Sequence, residues 1–380
     1  MTTRQKALFV AHRIPYPPNK GDKIRSWQIF QFLAERFDLA AGFFVDDPDD
    51  WQHVPYLEKY CVSLHAQKLT PRHARIRSLA GFINGEPLTL PYYASRGMDR
   101  WINEQRVCNL DLEVYFSSGV AEYMEGATAP AILDMVDADS AKWTAYADRT
   151  SFPASWIYKR EGARLPRVEA SLTTRAAATL LVSEQDADIV RALPGAAEHK
   201  IHCRPNGVDL DYFNPDGGYE TLSDPPDLVF TGAMDYWPNI DAATWFAEAV
   251  WPQMRRANPD LKLAIVGAKP TAEVVRLNRH AGIEVTGRVP DIRPWLHSTK
   301  VAVAPLRIAR GIQNKVLEAM AMAKPVVLTS DAAAGLAISD GTEAIIEDDP
   351  DQMADRTLQL LADAEKRKIM SAKARNFVEA

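Results

Sequence analysis

Residues 301–331, VAVAPLRIARGIQNKVLEAMAMAKPVVLTSD, contain the pattern that decides the fold. Val301–Pro305 is a short apolar run rich in β-branched residues, which predicts a buried strand. A loop with Arg310 and Gly311 follows, then a stretch whose apolar residues recur at helical spacing, and Pro325–Leu328 is a second apolar run. Strand, loop, helix and strand in this order predict a parallel β-α-β unit, which binds ligands beyond the carboxyl ends of its strands.

The start of this predicted helix suits an anionic ligand. First-turn N–H groups lack intrahelical partners and carry partial positive charge, which favours phosphate. Asn314 is the predicted N-cap, so Lys315 falls in the first turn, where the helix dipole repels a cation unless an anion binds between them. Glu318 lies one turn later on the same side, where its carboxylate can accept hydrogen bonds from ribose hydroxyls. These charges suit a nucleoside diphosphate; a solvated Lys–Glu pair on a surface helix is the alternative.

The length of the chain and its alternation of strand and helix patterns predict two α/β domains. A chain of 380 residues exceeds one comfortable core. Residues 227–365 alternate apolar strands with helical stretches, which predicts a parallel doubly wound sheet, and residues 1–205 are expected to form a second domain of this kind. Turn residues across 206–226 predict an interdomain linker. Residues 366–380 are expected to begin a C-terminal helix that is short or truncated.

Composition and motifs exclude several classes of protein. A net charge of −6 argues against a nucleic-acid partner. The three cysteines are far apart and odd in number, so neither a disulfide framework nor a zinc site is indicated. No apolar run approaches the ~18 residues of a membrane span, and no signal-peptide core precedes His12. A cytoplasmic location is therefore expected. The glycine motifs of dinucleotide oxidoreductases and P-loop enzymes are missing from the sequence.

Three residues of the loop between the first predicted strand and helix are candidates for acceptor binding. Lys20, Gly21 and Lys23 lie in the stretch RIPYPPNKGDK, residues 13–23. Glycine permits close approach of a ligand, and the lysines, with Arg25, either contact phosphate or form a solvated basic turn.

Two acids follow the predicted strand Ala131–Val136. Asp137 and Asp139 lie where the carboxyl end of a strand faces the ligand crevice of an α/β sheet. Contact with the acceptor or a base-like role is the preferred interpretation. A metal site is the weaker alternative, because carboxylates suit hard cations but two acids supply few ligands. Asp139 is also a candidate helix cap.

A basic segment, residues 65–77, has two interpretations. It carries Lys68, Arg72, Arg75 and Arg77. This local excess of positive charge either contacts anionic lipid or a lipid-linked phosphate acceptor, or it is a solvated face, as charge runs usually are.

The segment GIQNKVLEAMAMAKPVV, residues 311–327, resembles the nucleotide-sugar motif of the retaining GT-B glycosyltransferases of family 4. Residues 318–321, Glu-Ala-Met-Ala, and the Pro-Val pair at 325–326 match that motif, whereas Arg310 stands where the family usually has a glutamate. Residues 205–215, 230–239 and 285–296 extend the resemblance. Within the family the sequence is most similar to the sugar transferases of exosortase and exopolysaccharide systems, which share PYPPNKGDKIRS, VDADSAKW and ARGIQNKVLEAMA.

The resemblance implies a GT-B fold of two Rossmann-like domains facing a cleft, with a terminal helix that crosses back to the first domain. It implies retaining transfer of a sugar from a nucleotide diphosphate donor to a glycan or lipid-linked acceptor, without a cofactor or a metal. Relatives commonly place cations after the glycine equivalent to Gly232, where this chain has Ala233, Met234 and Asp235. We therefore expect Arg310 and Lys315 to hold the phosphates.

In the same interpretation Gly232 and Gly311 admit the donor, Asn314 begins the helix and Glu318 holds the ribose. The candidates for catalysis are Asp137, Arg310 and Lys315. Two alternatives remain open: a nucleotide-sugar epimerase on the same fold, and a glycan-assembly scaffold with a decayed site. Peripheral contact with an anionic membrane at the inner face of the cell membrane is a further expectation.

Overall fold

The structure is a computed structural model that describes residues 4–18, 20–79, 81–82, 85–148, 150–220, 222–309 and 311–380. The chain divides into two compact units, Met1–Pro205 and Asn206–Ala380. Each unit is built on one parallel β-sheet with helices between successive strands. The fold is therefore α/β with two Rossmann-like doubly wound units, as expected from the alternating strand and helix patterns.

The sheet of unit 1 has the strand order β3-β2-β1-β4-β5-β6-β7, and every pair is parallel. Its strands are β1 Lys6–Ala11, β2 Asp38–Val45, β3 Ser63–Lys68, β4 Leu112–Phe116, β5 Ala131–Val136, β6 Ala178–Leu181 and β7 Ile201–Cys203. The strand order reverses between β1 and β4. This reversal is the switch point at which open α/β sheets bind ligands.

Helices cover both faces of this sheet. The α-helices are Gly21–Arg36, Val54–Glu58, Pro71–Ser78, Thr89–Tyr92, Arg96–Arg106, Asp139–Asp148, Ala154–Arg175 and Glu184–Arg191, with 3-10 turns at Pro48–His53, Ser118–Met124 and Glu198–Lys200. Successive residues of β1 alternate between two apolar clusters: Leu8 packs in one and Phe9 in the other. Because side chains of a strand alternate between faces, this near-continuous apolar strand is buried on both sides.

The sheet of unit 2 has the order β10-β9-β8-β11-β12-β13 and is also parallel. Its strands are β8 Leu228–Thr231, β9 Leu263–Val266, β10 Ile283–Gly287, β11 Val301–Ala304, β12 Val326–Leu328 and β13 Ala344–Ile346. The order reverses between β8 and β11. The loop and helix that follow β11, where the sequence predicts the donor, thus lie at the switch point of this sheet.

The α-helices of unit 2 are Trp237–Trp245, Trp251–Ala257, Ala272–Val275, Arg293–Ser298, Asn314–Ala321, Ser330–Ala333, Pro350–Ala362 and Ala364–Glu379, with a π-helical turn at Phe246–Val250 and a 3-10 turn at Arg276–Arg279. The terminal helix, Ala364–Glu379, packs against Asn314–Ala321. Its Arg375 donates hydrogen bonds to the carbonyl oxygens of Ala321 (2.5 Å) and Phe213 (3.0 Å). Phe213 and Tyr219, from the segment predicted as a linker, pack against the unit 2 core.

Local patterns missed the outermost strands of unit 1. β3 and β7 lie at the two edges of the sheet. β3 reads SLHAQK and is only partly buried, and β7 has three residues, so neither has the apolar run that marks a central strand. No helix in the described parts of the chain combines the length and apolar composition that crossing a membrane requires.

Candidate functional site

The switch point of unit 2 brings a glycine and the start of a helix to the same end of the sheet. Gly232 follows β8, and the loop after β11 leads into helix Asn314–Ala321. Strands β8 and β11 are hydrogen-bonded neighbours. Because these strands are parallel, Gly232 and Asn314 lie at the same end of the sheet, although they are some eighty positions apart in sequence.

Lys315 lies directly against Gly232. Its Nζ donates a hydrogen bond to Oδ1 of Asn239 (2.5 Å) and lies 4.7 Å from the centroid of the Phe230 ring. A Cβ on Gly232 would lie 3.1 Å from this Nζ and 2.8 Å from Nδ2 of Asn239. Gly232 is thus required because the side chains of Lys315 and Asn239 occupy the space beside its Cα.

Asn239 links the lysine to the turn after β8. Asn239 is buried, and its Nδ2 donates to the carbonyl oxygen of Ala233 (2.9 Å). Met234, at a position where the resemblance leads one to expect a cation, is fully buried in the unit 2 core. The ammonium of Lys315 therefore stands beside the glycine at which relatives are expected to carry their cations.

Gly267 is a second glycine that the site requires, and the sequence did not single it out. It follows β9, and a Cβ there would lie 1.6 Å from the carbonyl oxygen of Gly232. Contacts that short are never tolerated, so any larger residue would displace the turn that carries Gly232.

Burial shifts the pKa values of Lys315 and Glu318 toward each other. Desolvation lowers the pKa of Lys315 to about 7, although Glu318 opposes the shift. Desolvation raises the pKa of Glu318 to about 7, opposed by Lys315. Both side chains are half-buried. A solvated surface pair would not show such shifts, and shifts of this kind cluster at functional sites.

Asn314 is the first residue of the helix, and the prediction that it is the N-cap is wrong. Gln313 occupies the capping position without a side-chain capping bond. Oδ1 of Asn314 instead accepts a hydrogen bond from Nδ2 of Asn206 (2.9 Å), while its own Nδ2 is buried and has no partner among the described residues. Gly311 has a φ of 61°, in the left-handed region that favours glycine. Arg310 lies outside the described residues.

The switch point of unit 1 gathers polar side chains from three neighbouring strands. His12 follows β1, Ser118 follows β4, and Asp139 follows β5. Nε2 of His12 lies 3.3 Å from Oδ2 of Asp22, and its ring stacks on Phe116 at 5.7 Å between centroids. Ser118 donates a hydrogen bond to Asp139. His12 and Ser118 were not predicted as site residues, although polar residues that follow β1 and β4 lie at the same end of the sheet as Asp137.

Asp137 and Asp139 share a lysine. Nζ of Lys142 lies 3.4 Å from Oδ2 of Asp137 and 3.9 Å from Oδ1 of Asp139. The ammonium thus supplies positive charge beside both carboxylates. Burial raises the pKa of Asp139 despite Lys142 and Ser118. Asp139 is the first residue of helix Asp139–Asp148 and accepts its hydrogen bond from Ser118, so the predicted capping role is wrong.

Of the basic residues predicted to contact the acceptor, Lys23 is structural. It is buried, and its Nζ pairs with Asp50 at 2.7 Å. Arg25 is likewise buried against Asp134 at 2.8 Å. Neither can contact phosphate without leaving a buried charge unpaired. Lys20 and Gly21 lie at the N-terminus of helix Gly21–Arg36, where Lys20 holds the capping position.

One part of unit 2 matches a known protein family. Residues 225–363 match the family model described as Glycosyl transferases group 1. The D-inositol 3-phosphate glycosyltransferase of Paenarthrobacter aurescens (strain TC1) is 29% identical over 212 residues, which are 51% of this chain and 51% of that protein. The chain thus spans about half the length of this relative.

Two solved structures resemble almost the whole chain. The sucrose-phosphate synthase of Thermosynechococcus elongatus has a TM-score of 0.69 at 15% identity and covers 99% of this chain and 94% of its own. Anabaena HepE, in complex with UDP and glucose, has a TM-score of 0.65 at 15% identity, with coverages of 99% and 95%. At these identities the resemblance establishes the fold, which is GT-B.

Proposed function

We propose that this chain, in which residues 225–363 form a glycosyl transferase group 1 domain on a GT-B fold, transfers a sugar from a nucleoside diphosphate donor to an acceptor. One observation carries the proposal: the half-buried ammonium of Lys315 stands beside Gly232 at the switch point of unit 2. A buried cation next to a helix N-terminus is unfavourable without an anion. A diphosphate supplies that anion.

The groups around Lys315 suit the departure of a nucleoside diphosphate. Negative charge develops on the diphosphate as the bond to the sugar breaks, and fixed donors stabilise it there. Lys315 and the first-turn N–H groups supply such donors, together with Arg310, whose guanidinium can bind phosphate in a bidentate manner. The amide nitrogen of Asn314, which has no partner among the residues that the structure describes, is a further donor. Glu318 then accepts hydrogen bonds from the ribose.

We propose UDP as the nucleotide, because HepE was solved with UDP and glucose. The transfer is proposed to retain the configuration at the anomeric carbon, on the strength of the motif at residues 311–327. The acceptor is proposed to be a glycan or lipid-linked sugar in exopolysaccharide assembly at the cytoplasmic face of the membrane. His12 and Asp139 are the polar groups of unit 1 that we propose meet it, with Asp137 as the candidate for a base-like role.

The phosphate role of Lys315 is tested by comparing UDP with uridine. Replacing Lys315 with Met removes the cation but keeps most of the side-chain volume. We expect UDP affinity to fall by about 1.5–3 kcal/mol, the value of a charged hydrogen bond, while uridine affinity changes little. Isothermal titration of both ligands measures this.

Lys368→Met is the matched control, since Lys368 is exposed on the terminal helix. It should leave both affinities unchanged. Equal losses for UDP and uridine in Lys315→Met would refute the phosphate role and indicate a structural one.

The two rival functions make different products. A nucleotide-sugar epimerase would return an isomer of the donor with its diphosphate bond intact, and a scaffold would leave the donor unchanged. A glycosyltransferase releases nucleoside diphosphate in proportion to glycosylated acceptor. Chromatography of a UDP-sugar incubated with a membrane glycolipid extract separates the three outcomes.

A further inference from the structure

Unit 1 exposes large apolar side chains in two segments that lie side by side. Relative to the fully accessible residue, the exposures are 67% for Ile76, 53% for Leu79, 37% for Phe82, 81% for Phe152 and 54% for Trp156. Single exposed apolar residues are ordinary, but a contiguous group of this size marks an interaction surface.

Direct contacts join the two segments into one surface. The rings of Phe82 and Trp156 stack at 5.7 Å between centroids and 5° between planes. The guanidinium of Arg160 lies 4.6 Å from the centroid of the Phe82 ring and donates to the carbonyl oxygen of Glu86 at 2.8 Å. Phe82 and Glu86 are therefore held against helix Ala154–Arg175, where Trp156 adjoins Phe82 and Phe152 lies two residues before the helix.

The helix Pro71–Ser78 adds positive charge next to this surface, because the N–H of Phe82 donates to the carbonyl oxygen of Leu79 directly after the helix (3.0 Å). Arg72, Arg75, Ile76 and Leu79 follow the i, i+3, i+4, i+7 spacing of one helix face, and all four are exposed. Arg77 is excluded because its guanidinium donates to the carbonyl oxygens of Pro91 and Tyr92. This face thus combines two arginines with two apolar side chains.

Acidic residues are absent from this part of the sequence. Between Glu58 and Glu86 the chain has no Asp or Glu and has five Lys or Arg, although the whole chain has a net charge of −6. A symmetric contact with a second copy through this same surface would bring the arginines of both copies together, whereas an anionic membrane surface complements them.

We propose that the surface formed by Arg72, Arg75, Ile76, Leu79, Phe152 and Trp156 binds the headgroup region of a membrane that contains anionic lipid. Arginines attract the anionic headgroups, while Trp, Phe and aliphatic side chains enter the boundary between headgroups and acyl chains. This inference rests on the proposed function only for the purpose of the contact. Binding at this surface would bring unit 1 to the plane in which a lipid-linked acceptor resides.

Vesicle co-sedimentation of the full chain tests the proposal. The wild-type protein should bind vesicles of phosphatidylcholine mixed with phosphatidylglycerol and bind pure phosphatidylcholine much less. Arg72→Glu/Arg75→Glu should lower binding by about 30-fold or more, from roughly a fivefold factor per basic residue near the surface. Phe152→Ser/Trp156→Ser should lower it by at least about tenfold.

Two matched controls separate local from general effects. Lys366→Glu/Lys368→Glu changes the net charge equally at exposed positions of the terminal helix, and Val107→Ser removes a side chain that is 82% exposed elsewhere in unit 1. Both should bind vesicles as the wild type does. Raised salt should weaken wild-type binding without abolishing it, because screening removes the charge contribution and leaves the apolar one.

Several results would overturn the proposal: no vesicle binding by the wild type, equal binding by the surface variants, or equal loss in the controls. If the wild type instead forms a concentration-dependent dimer in sedimentation velocity and Phe152→Ser/Trp156→Ser abolishes it, the surface binds a second copy of the chain and not a membrane. The surface variants should keep wild-type UDP affinity. Loss of vesicle binding with UDP affinity retained isolates this surface from the donor site, and vesicle binding without any sugar transfer would refute the proposed function while leaving the surface in place.

Discussion

Two side chains of opposite charge, Lys315 and Glu318, are held half-buried at the proposed donor site of unit 2. Burial disfavours the charged form of each, which is why both pKa values move to about 7. Functional sites commonly retain such costly groups because the ligand, rather than the fold, provides their partners. We therefore expect Lys315 and Glu318 to lower the stability of the ligand-free protein and to bind the nucleotide.

Glu318→Gln should weaken nucleotide binding and stabilise the empty protein at high pH. The folded-state pKa of Glu318 is about 7 against an ordinary 4.5, so the folded state binds more protons than the unfolded state between these values. Stability associated with this group is full below pH ~4.5 and is lost as pH rises through 7. Gln cannot lose it, so the Tm of Glu318→Gln relative to wild type should be higher at pH 8 than at pH 5.

Thermal unfolding at the two pH values measures this difference. Exposed Glu284 on β10 offers the control Glu284→Gln, which removes a carboxylate outside the proposed donor site and should leave UDP affinity unchanged. A Glu318→Gln variant that is destabilised at pH 8, or that keeps full UDP affinity, would contradict the assignment.

At the scale of elements, the donor site depends on how closely the ends of β8 and β9 approach. The carbonyl oxygen of Gly232 occupies the space in which a Cβ of residue 267 would lie. The backbone at the end of β9 thereby fixes the turn after β8 that carries Gly232. Sheet geometry, rather than any side chain, positions the glycine beside Lys315.

Gly267→Ala should therefore displace the turn at Gly232, lower stability and weaken UDP binding together. The clash is with backbone, so relief requires movement of the turn, and we expect a loss of at least about 1–3 kcal/mol, as for overpacking of a core. Gly218→Ala is the control, because a Cβ there meets nothing within 4 Å. Tm and UDP titration of both variants measure the effect. Equal, small changes in the two would show that the turn is not constrained.

At the scale of the whole molecule, the two units are separate α/β bodies with their own cores. The proposed contacts to UDP all come from unit 2. A ligand that binds only the folded protein stabilises it by mass action, by about 2.7 kcal/mol at 100 times Kd. The stabilisation should be largest in the unit that binds the ligand.

Hydrogen exchange of the full chain should consequently show the largest UDP-dependent protection in peptides from residues 228–240 and 311–321. The sheet of unit 1 should be less affected, and Lys315→Met should reduce the protection at equal UDP concentration. Greatest protection in unit 1 would place the nucleotide elsewhere and would contradict the assignment of the donor site.

The sequence by itself predicted the α/β class and the central strands, and it indicated a glycosyltransferase. β5 was predicted with the bounds that the structure shows, and β11 and β12 were each predicted one residue longer, because buried parallel strands are uninterrupted apolar runs that local patterns reveal. The motif at residues 311–327 led to the GT-B fold and to the enzyme class that the family model supports for residues 225–363. The retaining mechanism, the acceptor and the individual site roles stay predictions.

Only the tertiary structure decided which polar residues are free to act. Lys23 and Lys315 are both lysines near a helix start, yet one is paired with Asp50, which is 27 positions away, and the other reaches Asn239, which is 76 positions away. Arg25 is neutralised by Asp134 at a separation of 109. Such partners meet because strand order brings distant loops to one edge of a sheet, and a periodic pattern within a single segment contains no information about that order.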